Sequence, residues 1–383
     1  MKPRIKTRIN LIIAIFLVCI VHLNTGWNEV KKEAGVPKAP ALNGRYLFVA
    51  VPGIRDYMGY GGHGLLVFDI NNGHKFVKRI STKGMHPNGL PSNVKGIAAS
   101  VPLNSVYITT WESLQRIDIG TGKLVWEKLI PGGCDRLAVS PDGKTIFLPA
   151  FEGHTWTVLD AKTGDIIKQL DGFNKSHNTV YGLSGQRVYM SDIGNTVVKV
   201  ADAKTNEIVS QIGPFSAPVR PFTINGAEST IYVNCNDLLG FEVGDLKTGQ
   251  RTAKVVVQGW EKGTVRRHGC PSHGIGLTPD EKEIWLCDGF NMRMHVFASK
   301  PPYQQLTTIP LRDMPGWITF SKDGKYAYPS SGEVLDTKTR YVITYLTDEN
   351  HNAVGSEKMI EVFMTNNRAT GIADQFGVGR VAN

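Results

Sequence analysis

Ionisable residues recur at nearly constant intervals along this 383-residue chain, each shortly before an apolar segment. Asp135 lies five residues before Ser140 of a Ser-Pro-Asp-Gly turn, and counting back from the equivalent turns gives the same position in the other repeats. Positions of this kind are usually Gly, Pro, Ser or apolar, and departures from local rules concentrate at functional sites. The ionisable members are Lys95, Asp135, His177, Arg220, His273 and, last, Glu357 or Lys358, while one repeat has Gly316 at this position.

These residue types suit acid–base catalysis. Histidine titrates near neutral pH, so His177 and His273 are candidates for a general acid and a general base. Arg220 would stabilise a developing oxyanion, and a neighbouring Asp135 or Glu357 would raise the pKa of a histidine. Lactone hydrolysis and proton abstraction beside a carboxylate both fit this set. A hydrolase or lyase is therefore one interpretation, although no nucleophile is identifiable.

The same residues also suit a binding protein, which is the preferred interpretation. Lysine and arginine hold carboxylates and phosphates, and arginine can do so through two hydrogen bonds. A basic segment, GWEKGTVRRHGCPSHG (259–274), adds further donors. A small, anionic ligand is expected at Lys95, Asp135, Arg220, His268, Trp317 and Glu357. Two alternatives stay open: these side chains tie structural elements together, or the chain is a protein-interaction scaffold with large exposed apolar patches.

Metal binding is a further hypothesis, because histidines recur in the same segments. No HxxxH or CxxC spacing is present, so any ligands must come from separate segments. A His-based divalent site is the version to look for, and no other cofactor is evident. Its candidate ligands are His63, His154, His177, His268 and His273.

The elements that position these residues are repeats of about 42 residues. One signature, a strand ending in Asp before a Thr-Gly turn, occurs at RIDIGTG (116–122), VLDAKTG (158–164), VADAKTN (200–206) and VGDLKTG (243–249). Another, an apolar strand, a tight turn and a second strand, occurs at LAVSPDGKTIFLP (137–149) and ITFSKDGKYAYP (318–329). Four antiparallel strands at this period predict the blades of a β-propeller.

Counting the repeats predicts an all-β, seven-bladed β-propeller of four-stranded antiparallel blades. The first unit lacks an inner strand, and the leftover segment MIEVFMT (359–365) can supply it. The C-terminal strand would then close the ring within the first blade and remove an open sheet edge. In such a ring the residues that open the inner strands surround one mouth of the central channel.

The Ser-Pro-Asp-Gly and Asp-x-x-Thr-Gly turns, with their period, resemble the YVTN-type repeat of YncE-like propellers over residues 46–365. The resemblance implies an extracytoplasmic seven-bladed propeller. Its wider family includes ligand-binding proteins, and related propellers act as lactonases, lyases and quinone- or haem-linked oxidoreductases. Fold resemblance cannot choose among these activities.

The N-terminus predicts export. Four basic residues up to Arg8 precede an apolar run at 9–23, the pattern of a signal peptide or an N-terminal anchor over residues 1–25. A linker at 26–45, the propeller at 46–365 and a C-terminal tail at 366–383 would follow. The protein is expected to be periplasmic or secreted, with membrane contact only through an uncleaved N-terminus. The net charge of +9 includes these four basic residues, and the +5 that remains is mild for a large domain, with no Lys/Arg block that resembles a nucleic-acid-binding patch.

Overall fold

The computed structural model describes residues 41–264, 266–373 and 376–380. The predicted signal peptide or anchor at 1–25 and most of the linker at 26–45 lie outside these residues. Within the described ranges, no helix has the length and apolar character needed to cross a membrane. The residues form seven antiparallel sheets in the order of a seven-bladed propeller, which confirms the predicted fold class.

Within each blade, four strands succeed one another from the channel outwards, and all strands are numbered along the chain. Blade 1 contains β28 (Met359–Thr365), β1 (Gly44–Val51), β2 (Gly64–Asp69) and β3 (Lys75–Ile80). Blade 2 contains β4 (Gly96–Ser100), β5 (Ser105–Thr109), β6 (Ser113–Asp118) and β7 (Leu124–Leu129). Blade 3 contains β8 (Ala138–Val139), β9 (Thr145–Pro149), β10 (Trp156–Asp160) and β11 (Ile166–Leu170).

The remaining four blades follow in chain order. Blade 4 contains β12 (Ser176–Tyr181), β13 (Arg187–Asp192), β14 (Val198–Asp202) and β15 (Glu207–Ile212). Blade 5 contains β16 (Val219–Ile224), β17 (Thr230–Cys235), β18 (Gly240–Asp245) and β19 (Arg251–Val256). Blade 6 contains β20 (Ile275–Leu277), β21 (Glu283–Asp288), β22 (Arg293–Ala298) and β23 (Gln305–Pro310). Blade 7 contains β24 (Ile318–Phe320), β25 (Tyr326–Pro329), β26 (Glu333–Asp336) and β27 (Val342–Tyr345).

Local hydrogen bonds explain both repeated turn sequences. Asp160 accepts hydrogen bonds from the backbone N–H groups of Lys162 and Thr163, both at 2.8 Å, and Gly164 then adopts the left-handed conformation at φ +71°. In the other turn, the Ser140 hydroxyl accepts a hydrogen bond from the backbone N–H of Thr145 at 2.9 Å. These turns recur because each closes a hairpin with its own side chains.

The ring is closed as predicted, by pairing the two ends of the chain. Strand β28 pairs antiparallel with β1, in a register that runs from Gly44 opposite Met364 to Val49 opposite Met359. The backbone N–H of Ala50 extends this pairing by donating to the carbonyl of Lys358 at 3.0 Å. Blade 1 therefore takes its inner strand from the C-terminal part of the chain.

Described residues of the segment expected to be a C-terminal tail form a strand and further contacts within the channel. Arg368–Ala373 forms β29, a fifth strand on the inner edge of β28, so blade 1 has five strands rather than the predicted four. Farther along, Gly377 accepts hydrogen bonds from the backbone N–H of Leu277 at 2.8 Å and the hydroxyl of Thr223 at 2.7 Å. The segment thus joins blade 1 to blades 5 and 6. It covers a strand edge that would otherwise face the channel unpaired.

Neighbouring blades pack through apolar and aromatic side chains, with one buried histidine between blades 1 and 7. His74 is 4% exposed, lies edge-on to Tyr326 with a centroid separation of 4.8 Å, and contacts the hydroxyl of Tyr328 at 3.0 Å. Burial, assisted by the charge of Arg45, lowers the pKa of His74 to about 4. This contact therefore depends on a neutral imidazole.

Truncation tests the closure. A chain that ends at Lys358 loses β28 and exposes the inner edge of β1, so it should aggregate or melt at a clearly lower temperature. A matched chain that ends at Asn366 keeps β28 and should remain folded, with a smaller loss of thermal stability. Size-exclusion chromatography and thermal unfolding distinguish the two. A monomeric Lys358-terminated chain with the wild-type melting temperature would contradict this account.

The buried histidine makes stability depend on pH. Because the folded protein disfavours protonation of His74 while the unfolded chain does not, stability is full above pH 6.5 and is lost as the pH falls towards 4. The loss attributable to His74 at pH 5 is about 2 kcal/mol. Asparagine tolerates the positive φ of 59° at this position. Between pH 7 and 5, the free energy of unfolding of His74→Asn should therefore fall less than that of the wild type. Urea unfolding at both pH values measures this, and an unchanged pH dependence would refute it.

Candidate functional site

One mouth of the channel is surrounded by the residues that open the inner strands, as the repeat register predicts. The inner strands begin at this mouth and run towards the Ser-Pro-Asp-Gly turns. Lys95 immediately precedes β4, His177 and Arg220 are the second residues of β12 and β16, and Trp317 immediately precedes β24. A row of contacts links Lys95, Asp135, His177, His273, His268 and Glu357 across this mouth.

Asp135 and His177 form a buried hydrogen-bonded pair. The Nδ1 atom of His177 lies 2.8 Å from Oδ2 of Asp135, and the Lys95 ammonium lies 4.0 Å from Oδ1. An ionised carboxylate only accepts hydrogen bonds, so Nδ1 carries the proton and Nε2 keeps its lone pair. Nε2 is buried and has no hydrogen-bond partner among the described residues. The pair therefore presents an unused acceptor at the channel mouth.

Burial and charge together set the ionisation of this pair. Burial acts to raise the pKa of Asp135, but the charges of Lys95 and His177 outweigh it and hold that pKa below its usual range. Burial lowers the pKa of His177, and the opposing effect of Asp135 does not compensate. The expected effect of the carboxylate is present, since Asp135 acts to raise the pKa of this histidine, but desolvation dominates and the net shift is downward. At neutral pH the pair is a carboxylate and a neutral imidazole.

Glu357 is the centre of a second buried network. Its Oε2 accepts hydrogen bonds from Arg136 at 2.5 Å and from Lys358 at 2.8 Å, while Oε1 lies 2.9 Å from Nδ1 of His268. Burial acts to raise the pKa of Glu357, yet the surrounding charges of Lys358, His268 and Arg136 hold it well below its usual value. Burial lowers the pKa of Lys358 to about 7 despite the charge of Glu357. Glu357 is therefore ionised and already neutralised by its neighbours.

His273 lies between the two networks. Its Nδ1 donates to the carbonyl of Gly316 at 2.8 Å, and its own carbonyl accepts from the Asn234 amide at 2.8 Å. Its ring centroid lies 6.0 Å from that of His177 and 5.1 Å from that of His268. Burial lowers the pKa of His273 well below the ordinary value, so this ring is also neutral at pH 7.

Gly316 is required by this packing. A Cβ atom at position 316 would lie 2.1 Å from Cε1 of His268 and 2.4 Å from Oε1 of Glu357. The position therefore lacks a functional side chain because the imidazole and the carboxylate occupy that space.

Trp317, predicted as a ligand-binding residue, lies buried beneath Arg136. It is 2% exposed, and the guanidinium carbon of Arg136 lies 3.9 Å from its ring centroid. On the side of the C-terminal segment, its ring lies 6.1 Å from that of Phe376. Trp317 thus supports Arg136 by a cation–π contact rather than facing the open mouth.

Arg220, and Arg267 of the basic segment 259–274, form hydrogen bonds with residues other than the two catalytic candidates His177 and His273. Arg220 donates to Oδ1 of Asn236 at 2.5 Å and to the carbonyl of Gly269 at 2.8 Å. Arg267 donates to Asp313 at 2.9 Å. The described contacts therefore do not join Arg220 to His177 or His273, so a direct role for it beside the two histidines is not supported by this geometry.

Arg136 is a site residue that sequence reasoning missed. In a regular strand its side chain would point away from that of Asp135, because successive side chains alternate. The regular part of β8 is only Ala138–Val139, and Arg136 instead forms an isolated parallel bridge with Asn178. Because the backbone before β8 is irregular, the side chains of Asp135 and Arg136 can both face the channel. In the sequence, the charged residue directly after Asp135 was the feature that could have indicated Arg136 as a site residue.

The histidines bear on the metal hypothesis. His268, His273 and Glu357 each offer a ligand atom, and these atoms lie within 4.8 Å of one another. A cation there would also approach Arg136 and Lys358, which already bind Glu357, so its binding would be opposed by their charge. His63 and His154 contact Thr82 and Phe173 instead.

Removing the Asp135 carboxylate tests the network. Asp135→Ala leaves Nδ1 of His177 and the Lys95 ammonium without their buried partner, so the free energy of unfolding should fall by about 3 kcal/mol or more. The matched control is Asp165→Ala, which breaks the exposed contact of Asp165 with Lys128 and should leave stability near wild type. Denaturant unfolding at pH 7 compares them. Equal stability of the two variants would show that the buried pair is not a structural or electrostatic centre.

Comparisons with known proteins support the fold at a coarse level. No protein-family model matches the chain. Antigen Lp49 of Leptospira interrogans is 26% identical over 206 residues, which cover 50% of this chain and 44% of that protein. The chain thus matches less than half of that relative's length. A structure of Kuenenia stuttgartiensis hydrazine synthase superimposes with a TM-score of 0.58 at 13% identity, covering 75% of this chain and 90% of that one. This likeness shows a shared propeller fold, and membership of the YncE-like family stays a prediction.

Proposed function

We propose that this propeller binds a small anionic ligand at the mouth formed by Lys95, Asp135, His177, His268 and Glu357. The observation that carries the proposal is the unpartnered Nε2 atom of His177, buried beside the Lys95 ammonium. A buried acceptor without a partner is costly to the folded state, and such groups are common where a ligand supplies the missing donor.

The balance of charge at this mouth favours an anion. Lys95, Arg136 and Lys358 are set against two carboxylates, those of Asp135 and Glu357. Arg136 and Lys358 are both bound to Glu357. Because burial lowers the pKa of Lys358 to about 7, that group is only partly charged at neutral pH, so the network carries a small excess of positive charge, in surroundings where burial strengthens electrostatic attraction.

Lys95 is the cation best placed to meet a ligand. Its Nζ atom lies 4.0 Å from Asp135, longer than a hydrogen bond, and 4.6 Å from the centroid of the Phe151 ring. The side chain is 13% exposed, whereas that of Arg136 is 2% exposed. A ligand carboxylate can therefore reach Lys95 without displacing a closer protein hydrogen bond.

The two groups together define the ligand's chemistry. Neutral His177 accepts a hydrogen bond at Nε2, which a ligand hydroxyl can donate, and Lys95 donates to a carboxylate. A compound that carries both groups a few atoms apart, such as a hydroxy acid or sugar acid, satisfies both residues at once. A polyol without the carboxylate would satisfy only His177.

Catalysis is the second candidate, favoured by the same Asp135–His177 pair. A carboxylate that fixes Nδ1–H and leaves Nε2 free is the arrangement of a histidine general base. Because burial lowers the pKa of His177, this base is unprotonated at neutral pH. It could activate water towards a lactone or take a proton beside a carboxylate, with Lys95 binding the resulting negative charge.

An extracytoplasmic location is part of the proposal and is supported by the N-terminal sequence, in which basic residues precede the apolar run at 9–23. The cysteines agree with it. Cys134, Cys235, Cys270 and Cys287 are free and buried, and burial raises the pKa of Cys270 to about 12. Thiols held protonated and away from solvent react slowly, so an oxidising compartment would not damage them.

Ligand binding is tested by calorimetry and thermal shift on the full chain at pH 7.5, with gluconate as the acid and sorbitol as the uncharged polyol. Gluconate should bind more tightly than sorbitol. Lys95→Met should weaken gluconate binding about tenfold or more, the usual effect of losing a hydrogen bond that involves a charged group, and His177→Gln, which removes a neutral acceptor, should weaken it by up to about tenfold. Lys144→Met, which removes an exposed lysine at a Ser-Pro-Asp-Gly turn, is the matched control.

The same variants separate binding from catalysis. If His177 is a general base, gluconolactone hydrolysis above the spontaneous rate should fall about 100-fold or more in kcat in His177→Gln, with little change in KM. Binding of gluconate without accelerated hydrolysis supports the binding function alone. The proposal fails if neither hydroxy acids nor lactones bind the wild type, or if Lys144→Met weakens binding as much as Lys95→Met.

A further inference from the structure

The channel has a cavity at the end opposite the His177 site. Its volume is about 220 Å³, and it lies where the inner strands of three consecutive blades reach their Ser-Pro-Asp-Gly turns or equivalents. Its wall is almost wholly apolar, apart from Ser100, Ser140 and one arginine. The side chains that shape it include Ile97, Ala138, Tyr181, Ile360, Ile372 and Phe376.

The path of the C-terminal segment explains why this cavity exists. Residues 376–380 lie against blades 5 and 6, where Gly377 and Gly379 bond to Leu277 and Ile224. The facing wall belongs to blades 2 to 4, where small residues such as Ala99, Ala138 and Gly182 leave space. The segment thus fills one side of the channel and leaves the other side open. Apolar cavities of about 150 Å³ already accept benzene-sized ligands.

Arg380 gives this apolar cavity one charged group. It is half-buried at the cavity wall, and its backbone N–H donates to the carbonyl of Pro279 at 3.3 Å. Its guanidinium donates to the carbonyl of Val378 at 3.4 Å, a long and neutral contact. A carboxylate would be a stronger partner for this group, because charge-assisted bonds from arginine are shorter and stronger.

We infer that this cavity binds a medium-chain monocarboxylate, with its apolar tail among Ile97, Ala138 and Tyr181 and its carboxylate on Arg380. The volume suits a ligand of about eight to ten non-hydrogen atoms, which corresponds to hexanoate or octanoate. Both wall and ligand are apolar along their length and charged at one end. This match between shape, polarity and charge selects a fatty acid over a sugar or an inorganic anion.

This site is independent of the proposed function at the opposite mouth. Trp317 and Phe376 lie between the two regions, with ring centroids 6.1 Å apart. His177 lies at the polar mouth of the channel, whereas Arg380 lines only the apolar cavity at the opposite end. Each site can therefore be present without the other, and their tests use different ligands and variants.

Calorimetric titration of the full chain with octanoate at pH 7.5 tests the inference. Octanol lacks the charge and acetate lacks the tail, and each should bind at least tenfold more weakly than octanoate. Ala138→Phe places a ring inside the cavity and should abolish binding, while Arg380→Gln should weaken octanoate binding about tenfold but leave octanol unchanged. Lys144→Gln removes an exposed cation at the same end of the propeller and should change neither.

Several results would overturn the inference. One is no octanoate binding to the wild type, and another is equal binding to wild type and folded Ala138→Phe. Equal losses in Arg380→Gln and Lys144→Gln would show only general charge attraction. If Ala138→Phe does not fold, the binding of octanoate and of octanol to Arg380→Gln tests the inference instead, and equal effects on both ligands would overturn it.

Discussion

The pairing of β28 with β1 is the interaction on which the rest of the structure depends. It joins the two ends of the propeller within blade 1, so no sheet edge stays open between the first and last repeats. It also positions part of the site, because Glu357 and Lys358 immediately precede β28. The backbone N–H of Glu357 donates to the carbonyl of Gly53 at 3.2 Å, and the Lys358 ammonium donates to the same carbonyl at 3.0 Å. Ring closure thus positions the Glu357 carboxylate of blade 1 within hydrogen-bond distance of Arg136 of blade 3.

The central channel is divided into two chemically different ends. At one mouth, burial disfavours the ionised forms of Asp135 and Glu357, but the neighbouring basic groups outweigh that effect and hold both pKa values below their usual range. For the imidazoles the effect of burial dominates instead: it lowers the pKa values of His177 and His273 and keeps both rings neutral. Below Trp317 the wall becomes apolar. The inner strands of the seven blades therefore form a polar, hydrogen-bonding mouth around His177 and an apolar end beside the Ser-Pro-Asp-Gly turns.

The repeat spacing made the fold and much of the site predictable. Because turns recur at a fixed period, Asp135 and His177 could be placed at equivalent positions in adjacent blades, and the structure brings them into contact. Arg136 could not be placed in this way, since the strand it enters is too short to enforce alternation. The side-chain direction of Arg220 depends on Gly269 in a long loop, and β29 carries no repeat signature. The lowered pKa of His177 required knowledge of its burial.

The protonation state of His177 is the most direct measure of this account. Nitrogen-15 NMR of histidine-labelled protein reports, for each imidazole, which nitrogen carries the proton and at what pH the ring titrates, and His177→Gln assigns the signal. The account predicts a neutral ring at pH 7 that is protonated on Nδ1. Its Nε2 resonance should shift when gluconate is added and should not shift with octanoate. A His177 ring that is doubly protonated at pH 7, or an Nε2 resonance indifferent to every hydroxy acid and lactone, would contradict it.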